Sequence, residues 1–216
     1  MSLLGKLFGA GDSKPAYPAS QAARTLLLGG AGEDAERVRA TRRGVVVADV
    51  RRGPGVTLLA DLSRGFPFGD GAFDEVFSLE FIEHIPHPEL PAMLRECARV
   101  LRPGGRWVSG CPDVETLSAW FGLQCECVKK WKADPACARC GGKARISPGR
   151  WLKSVCGNQE DYGDHRWADT HKNVLWFGRL KSLLEEAGFA DVRRGDAAAF
   201  YEEGKADMKL LVEARK

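Results

Sequence analysis

Several features are missing from this sequence, and each absence narrows what the chain can be. No stretch has the roughly 20 consecutive apolar residues that a bilayer-spanning helix needs, so no membrane partner is expected. Met1 to Phe8 carry one lysine and a few leucines and then run into Gly9, Gly11 and Asp12. The apolar run and cleavage site of an export signal are absent, and the expected location is the cytoplasm. Neither sign of charge dominates: 32 Lys and Arg stand against 29 Asp and Glu, for a net charge of +3 and a pI of about 8.5. The basic clusters at 37–43, 51–52 and 129–132 are short. A nucleic-acid surface needs such residues gathered on one face, so nucleic acid is not an expected partner. GxGxxG and GxxxxGK[ST] are both absent, which disfavours hydride transfer on a dinucleotide and P-loop phosphate chemistry.

The 216 residues are 44% hydrophobic and 28% charged, enough for one domain, or one domain with a sizeable insertion, around a real core. After a Gly/Pro/Ser/Ala-rich stretch at 9–19, short apolar runs alternate with helical patterns. Strands are predicted at 25–28, 45–48, 56–60, 73–78 and 106–109. Helices are predicted at 33–41, 90–101 and 176–187. Pro103-Gly104-Gly105 is read as the stop of the second helix and Gly188 as the cap of the third. Val192 and 210–213 are read as final strands that could form an antiparallel pair. Continuously apolar strands are buried on both faces, as in a parallel sheet covered by helices. The expected fold is therefore α/β, doubly wound and mostly parallel, with a Cys-rich insertion after strand 5. The chain divides into an extension at 1–23, a main domain at 24–112 and 171–216, and an insertion at 113–170.

Ligands of such sheets bind at the carboxyl ends of the strands. Three features fall there. Gly29, Gly30 and Gly32 form a turn that lets backbone approach a ligand closely. Asp49 ends the second strand, where a carboxylate can accept hydrogen bonds from ribose hydroxyls. Asp61 ends the third, within reach of an adenine amine, with Leu62 against the ring.

Asp61-Leu62, the run Phe66 to Asp74, Phe81-Ile82-Glu83-His84 and the run Glu96 to Gly105 together resemble the class I S-adenosylmethionine-dependent methyltransferase superfamily. More narrowly they resemble its small bacterial, type 11-like members, often associated with glycan and secondary-metabolite pathways. The resemblance covers about 24–113 and the ending 183–192. It implies that Gly29, Asp49, Asp61, Leu62 and the strand end Ser78-Leu79-Glu80 surround S-adenosylmethionine. The sequence departs from the family at two places: Leu27 stands where an acid is expected, and Ala31 and Glu33 replace later glycines.

With no export signal, the seven cysteines are expected reduced. Cys125, Cys127, Cys137 and Cys140 form a CxC…CxxC set in a stretch with little apolar periodicity. Four thiolates in two close pairs suit structural zinc, which could supply that stretch's folding free energy. Cys156 or His165 could replace one ligand; Cys97 and Cys111 read as inert core residues.

Methyl transfer from a sulfonium needs chiefly positioning, and a base only where the acceptor must lose a proton. The candidates are Glu80, Glu83, His84 and Asp113, with His84 placed best. The polar and aromatic stretch 157–171, with His165 and His171, reads as a substrate lid or as a plain surface loop. Two functions stay open. One is methylation of a small molecule, a sugar or natural-product intermediate. The other is a non-catalytic subunit docking a protein partner through its zinc loop.

Overall fold

The computed structural model describes residues 25–30, 32–157 and 169–216. One seven-stranded sheet organises them. In chain order its strands are β1 (Thr25–Leu28), β2 (Val45–Asp49), β3 (Leu58–Leu59), β4 (Phe73–Leu79), β5 (Leu101–Pro112), β6 (Ala190–Arg194) and β7 (Lys209–Arg215). The spatial order is β3-β2-β1-β4-β5-β7-β6. The pairs from β3 to β5 are parallel, and β7 runs antiparallel to both β5 and β6. The expected α/β fold and its antiparallel ending are thus observed.

Alternation along each strand builds two cores. Leu26, Leu28, Val46, Ala48, Val76 and Trp107 face one way, onto α2 (Leu90–Val100) and α5 (Phe177–Glu186). Leu27, Val47, Phe77, Val108 and Leu211 face the other, onto Ala35 and Val38 of α1 (Glu33–Thr41) and onto Tyr201. Each fully buried Leu or Phe contributes about 1.5–3 kcal/mol.

The run 66–74 is fixed from α2. The Arg99 guanidinium donates to the carbonyls of Phe66 and Phe68 and to Asp70, while Glu96 accepts from the Phe66 amide at 2.9 Å. Two motifs far apart in sequence therefore form one clamp at the base of β4.

Some boundaries differ from expectation. β3 is shorter than 56–60, because Val56 turns back to the Gly53 carbonyl and Thr57 spends its hydroxyl on Val47. β5 is longer than 106–109. The Pro-Gly-Gly run lies within the strand, since Leu101 pairs with Phe73 and residues 104–105 exchange hydrogen bonds with Lys216. Ala187 caps α5, and Gly188 follows at φ 95°. The stretch after β5 carries α3 (Val114–Ala119) and α4 (Pro148–Cys156) as well as the cysteines.

Residues 170–175 return from that stretch and lie against the turn after β4. The amides of Lys172 and Asn173 both donate to the Glu83 carbonyl, at 2.7 and 3.0 Å. The Asn173 side chain caps the Ile85 carbonyl, and Lys172 Nζ donates to the His84 carbonyl at 3.0 Å. Asp113 and Leu175 form a parallel bridge. The two side-chain bonds bring residues 88 positions apart to one end of the sheet.

Candidate functional site

The carboxyl ends of β1, β2 and β4 converge on the glycine turn. Gly29, Gly30 and Gly32 all have φ between 66° and 83°, the left-handed region that side chains resist. The Phe81 ring lies across Gly29, so close that a Cβ there would sit 2.6 Å from it. Asp49 is only 6% exposed, and its Oδ1 accepts the Arg51 amide at 2.8 Å. Arg51 in turn pairs with Asp169 at 3.0 Å, tying the end of β2 to the segment that returns to the sheet. Asp61 is more exposed and pairs with Arg64 at 3.1 Å. Leu62 packs into the main core, and Ser78 is fully buried opposite Ser109.

Leu27 is fully buried in the second core, so the acid the family places there is replaced by packing. Another acid lies beside the turn. Asp34, in the first turn of α1, approaches Gly30, with Oδ2 3.7 Å from where a Cβ would stand. Burial, followed by the charge of Glu80, raises the Asp34 carboxyl above its ordinary range.

Glu80 follows β4 with φ 52°, a conformation that is strained for a residue bearing a Cβ. Its carboxylate accepts from Lys209 Nζ at 2.5 Å, and Lys209 is almost wholly buried. Burial alone would raise the Glu80 carboxyl, but the Lys209 ammonium outweighs it and holds it low. Next to this pair stand Glu83, His84 and His171. The ligand atoms of these three residues all lie within 4.8 Å of one another. Glu83 is 2% exposed, and burial pushes its carboxyl well up. The His84 and His171 rings meet edge to face at 4.9 Å between centroids. Burial lowers both imidazoles, His171 to about 4, so both are neutral at ordinary pH. A cleft of about 740 Å³ opens here, walled by Glu80, His84, Trp131, Arg150, Asp169 and Lys209 among others.

Asp113, the other carboxylate candidate, caps α3 by accepting the Glu115 amide at 3.1 Å and meets Arg194 at 3.4 Å. Its carboxylate is occupied by structure.

Cys125, Cys127, Cys137 and Cys140 form one cluster, with all four Sγ within 4.8 Å of one another. Cys125–Cys137 is 3.7 Å and Cys127–Cys140 is 3.5 Å, far longer than a disulfide. A tetrahedron with metal–sulfur bonds of ~2.3 Å has edges of about 3.8 Å, which these distances approach. The amides of Ala144 and Gly142 help pull the Cys140 thiol down to about 6, favouring a thiolate. Cys156 ends α4 and stands outside this cluster. His165 and Ala31 lie outside the described residues.

Comparison with known proteins adds to this geometry. Residues 21–109, about two-fifths of the chain, match the family model described as a methyltransferase domain. The solved structures that match over most of this chain are S-adenosylmethionine-dependent methyltransferases, and the chain shares their fold. A Burkholderia thailandensis 1,6-didemethyltoxoflavin N1-methyltransferase, solved with S-adenosylhomocysteine, matches at TM-score 0.52 and 16% identity, over 89% of this chain and 70% of that one. A Mesorhizobium loti S-adenosylmethionine-dependent methyltransferase matches at TM-score 0.51 and 21% identity, over 89% and 90% of the two chains. At such identities the likeness is one of fold. Ubiquinone biosynthesis O-methyltransferase of Xanthomonas oryzae is 50% identical over 36 residues, 17% of this chain and 14% of that protein. The match spans only about one-seventh of that curated relative.

The observed strand order puts Gly29, Asp49 and Glu80 at the carboxyl ends of β1, β2 and β4. Sequence reasoning named Glu83, His84 and His171 but did not join them. It missed Asp34 and Lys209 altogether. No spacing rule could have supplied Lys209, whose partner Glu80 comes from another strand end. Among the described residues no helix is long and apolar enough to cross a membrane.

Proposed function

We propose that this chain transfers a methyl group from S-adenosylmethionine to a small polar acceptor, a sugar or natural-product intermediate, bound in the cleft beside Glu80 and His84. The observation that carries this reading is the convergence of two features on one sheet edge. The glycine turn with buried Asp49 lies beside a polar cleft of about 740 Å³. The residues present fit the cofactor. Asp49 offers a buried carboxylate for ribose hydroxyls. Asp34 offers the acid that Leu27 does not, placed for the methionine ammonium. Asp61 stands where an adenine amine is expected, while Leu62 contributes to the core beneath rather than to the ring.

Bound there, the sulfonium supplies an activated methyl group. The protein's part is to aim an acceptor oxygen or nitrogen along the carbon–sulfur axis. The acceptor forms the new bond to carbon as the carbon–sulfur bond breaks and its electron pair stays on sulfur. An acceptor hydroxyl also sheds a proton, and His84, neutral and facing the cleft, is placed to take it.

The four cysteines are assigned to a structural zinc ion, on the strength of their sulfur–sulfur distances. The rival reading makes the cysteine loop a docking surface on a non-catalytic subunit. Phe121, 63% exposed beside that loop, favours it. Trp131, which belongs to the loop and walls the cleft, favours a role in holding substrate. An assay of methyl transfer from labelled S-adenosylmethionine across sugar, phenol and amine acceptors separates the two. Turnover abolished by Asp49→Ala supports the enzyme. Folded, metal-replete protein with no turnover on any class contradicts it.

A further inference from the structure

Glu83 is an anomaly as an isolated residue. Its side chain is buried, and neither carboxylate oxygen has a hydrogen-bond partner among the described residues. Leaving such a group unsatisfied costs about 1–3 kcal/mol, and more if it is charged. The backbone around it is well satisfied, since the Glu83 carbonyl takes two amides. The deficit therefore belongs to the carboxylate alone, and that carboxylate is aimed at two imidazoles.

Both imidazoles are already oriented. His84 Nδ1 lies 3.3 Å from the Thr170 carbonyl, and the Val155 carbonyl stands near the His171 ring. A carbonyl acceptor on one ring nitrogen fixes the tautomer and leaves the other nitrogen's lone pair available, the support found behind metal-bound histidines. The charges facing the group are the Glu80–Lys209 pair, Asp169, Lys172 and, farther off, Asp34. The first is internally neutralised, and Asp169 is held by Arg51.

We infer that Glu83, His84 and His171 form a second metal site, distinct from the cysteine cluster, that takes a divalent ion of the zinc, manganese or iron class at the floor of the acceptor cleft. Two imidazoles and one carboxylate suit these ions. Three protein ligands leave positions open, the arrangement of a site that also binds substrate. The ligand atoms lie within 4.8 Å of one another, and closing on an ion with bonds of ~2.0–2.2 Å brings them inward by about 1 Å or more. His84 and His171 line the cleft, so the open positions face an acceptor. With the ion bound His84 is a ligand and not a base. An acceptor hydroxyl on the ion then loses its proton to solvent because the ion lowers its pKa.

The probe is Mn²⁺, added to full-length protein whose cysteine site already holds zinc. Free Mn²⁺ is followed by electron paramagnetic resonance, with folding checked by circular dichroism. We expect one saturable Mn²⁺ per chain. Affinity should fall at least about tenfold in Glu83→Gln and in His171→Ala. Mn²⁺ should raise the Tm of the wild type and leave Glu83→Gln unchanged. Glu83→Gln keeps the shape of the buried group and is the variant least prone to misfold. Equal binding by wild type and both variants, or no Mn²⁺ bound and no shift in Tm, would overturn the proposal. The readout does not depend on S-adenosylmethionine, so its failure leaves the methyltransferase reading standing.

Discussion

Lys209, the first residue of β7, donates a 2.5 Å hydrogen bond to Glu80, the residue that follows β4, across the end of β5 between them. The lysine is almost entirely buried and the carboxylate partly so. Removing one partner strands the other. Glu80→Gln leaves a buried ammonium and should cost about 3–5 kcal/mol. Lys209→Met should cost less, because Glu80 retains some solvent. The double variant should recover much of the loss. Urea unfolding of the four proteins measures the coupling, and additive losses would show that the pair does not act as a unit.

Glu213 ties three strands together. It accepts from Arg106 on β5 and Arg193 on β6, each at 2.7 Å. Burial would raise its carboxyl, but the two guanidiniums outweigh it and hold it below the ordinary range. A lowered folded-state pKa contributes stability above the unfolded carboxylate value of about 4.3 and loses it as pH falls through the folded value. Glu213→Gln should therefore cost about 1–3 kcal/mol near neutrality. The deficit should shrink steadily below about pH 4. A deficit independent of pH would argue for lost packing instead.

The cysteine cluster should be locally essential and globally dispensable. Residues 125–146 have only small apolar clusters to hold them, whereas the sheet has its own two cores. A strong chelator, or Cys140→Ser, should open this stretch to proteolysis while far-ultraviolet circular dichroism of the sheet persists. Protection unchanged by chelation would mean the thiols carry no ion.

Asp34→Asn tests whether an acid on α1 stands in for the one missing at Leu27. Losing a charge-assisted bond to the methionine ammonium should weaken S-adenosylmethionine about 10–100-fold. Burial raises the folded-state pKa of Asp34, so its ionised form costs stability as pH rises through that value. The same substitution should then leave the free protein no less stable at neutral pH. Unchanged affinity would remove Asp34 from the site.

Much of this was legible from sequence where the cause is local. The apolar runs at 25–28, 45–48 and 73–78 could only be buried strands, and their order places Asp49 at the carboxyl edge of the sheet. The two cysteine pairs, read as one set from their spacing, do come together. What was not legible depends on chain return. His171 reaches Glu83 through backbone bonds from Lys172 and Asn173, which no periodicity encodes. α4 was hidden in a stretch that reads as loop because it begins Pro148-Gly149 and has only one buried residue, Ser154. Leu62, expected against a ligand, is packed among the core residues, since an apolar residue at a strand end has a surface toward the core as well.

Calorimetric titration of the metal-replete protein with S-adenosylmethionine and S-adenosylhomocysteine, repeated on Asp49→Ala, tests the central claim most directly. The account predicts micromolar binding of both ligands to the wild type and loss of that binding in the variant, with the fold retained. Folded wild-type protein that binds neither ligand would contradict it.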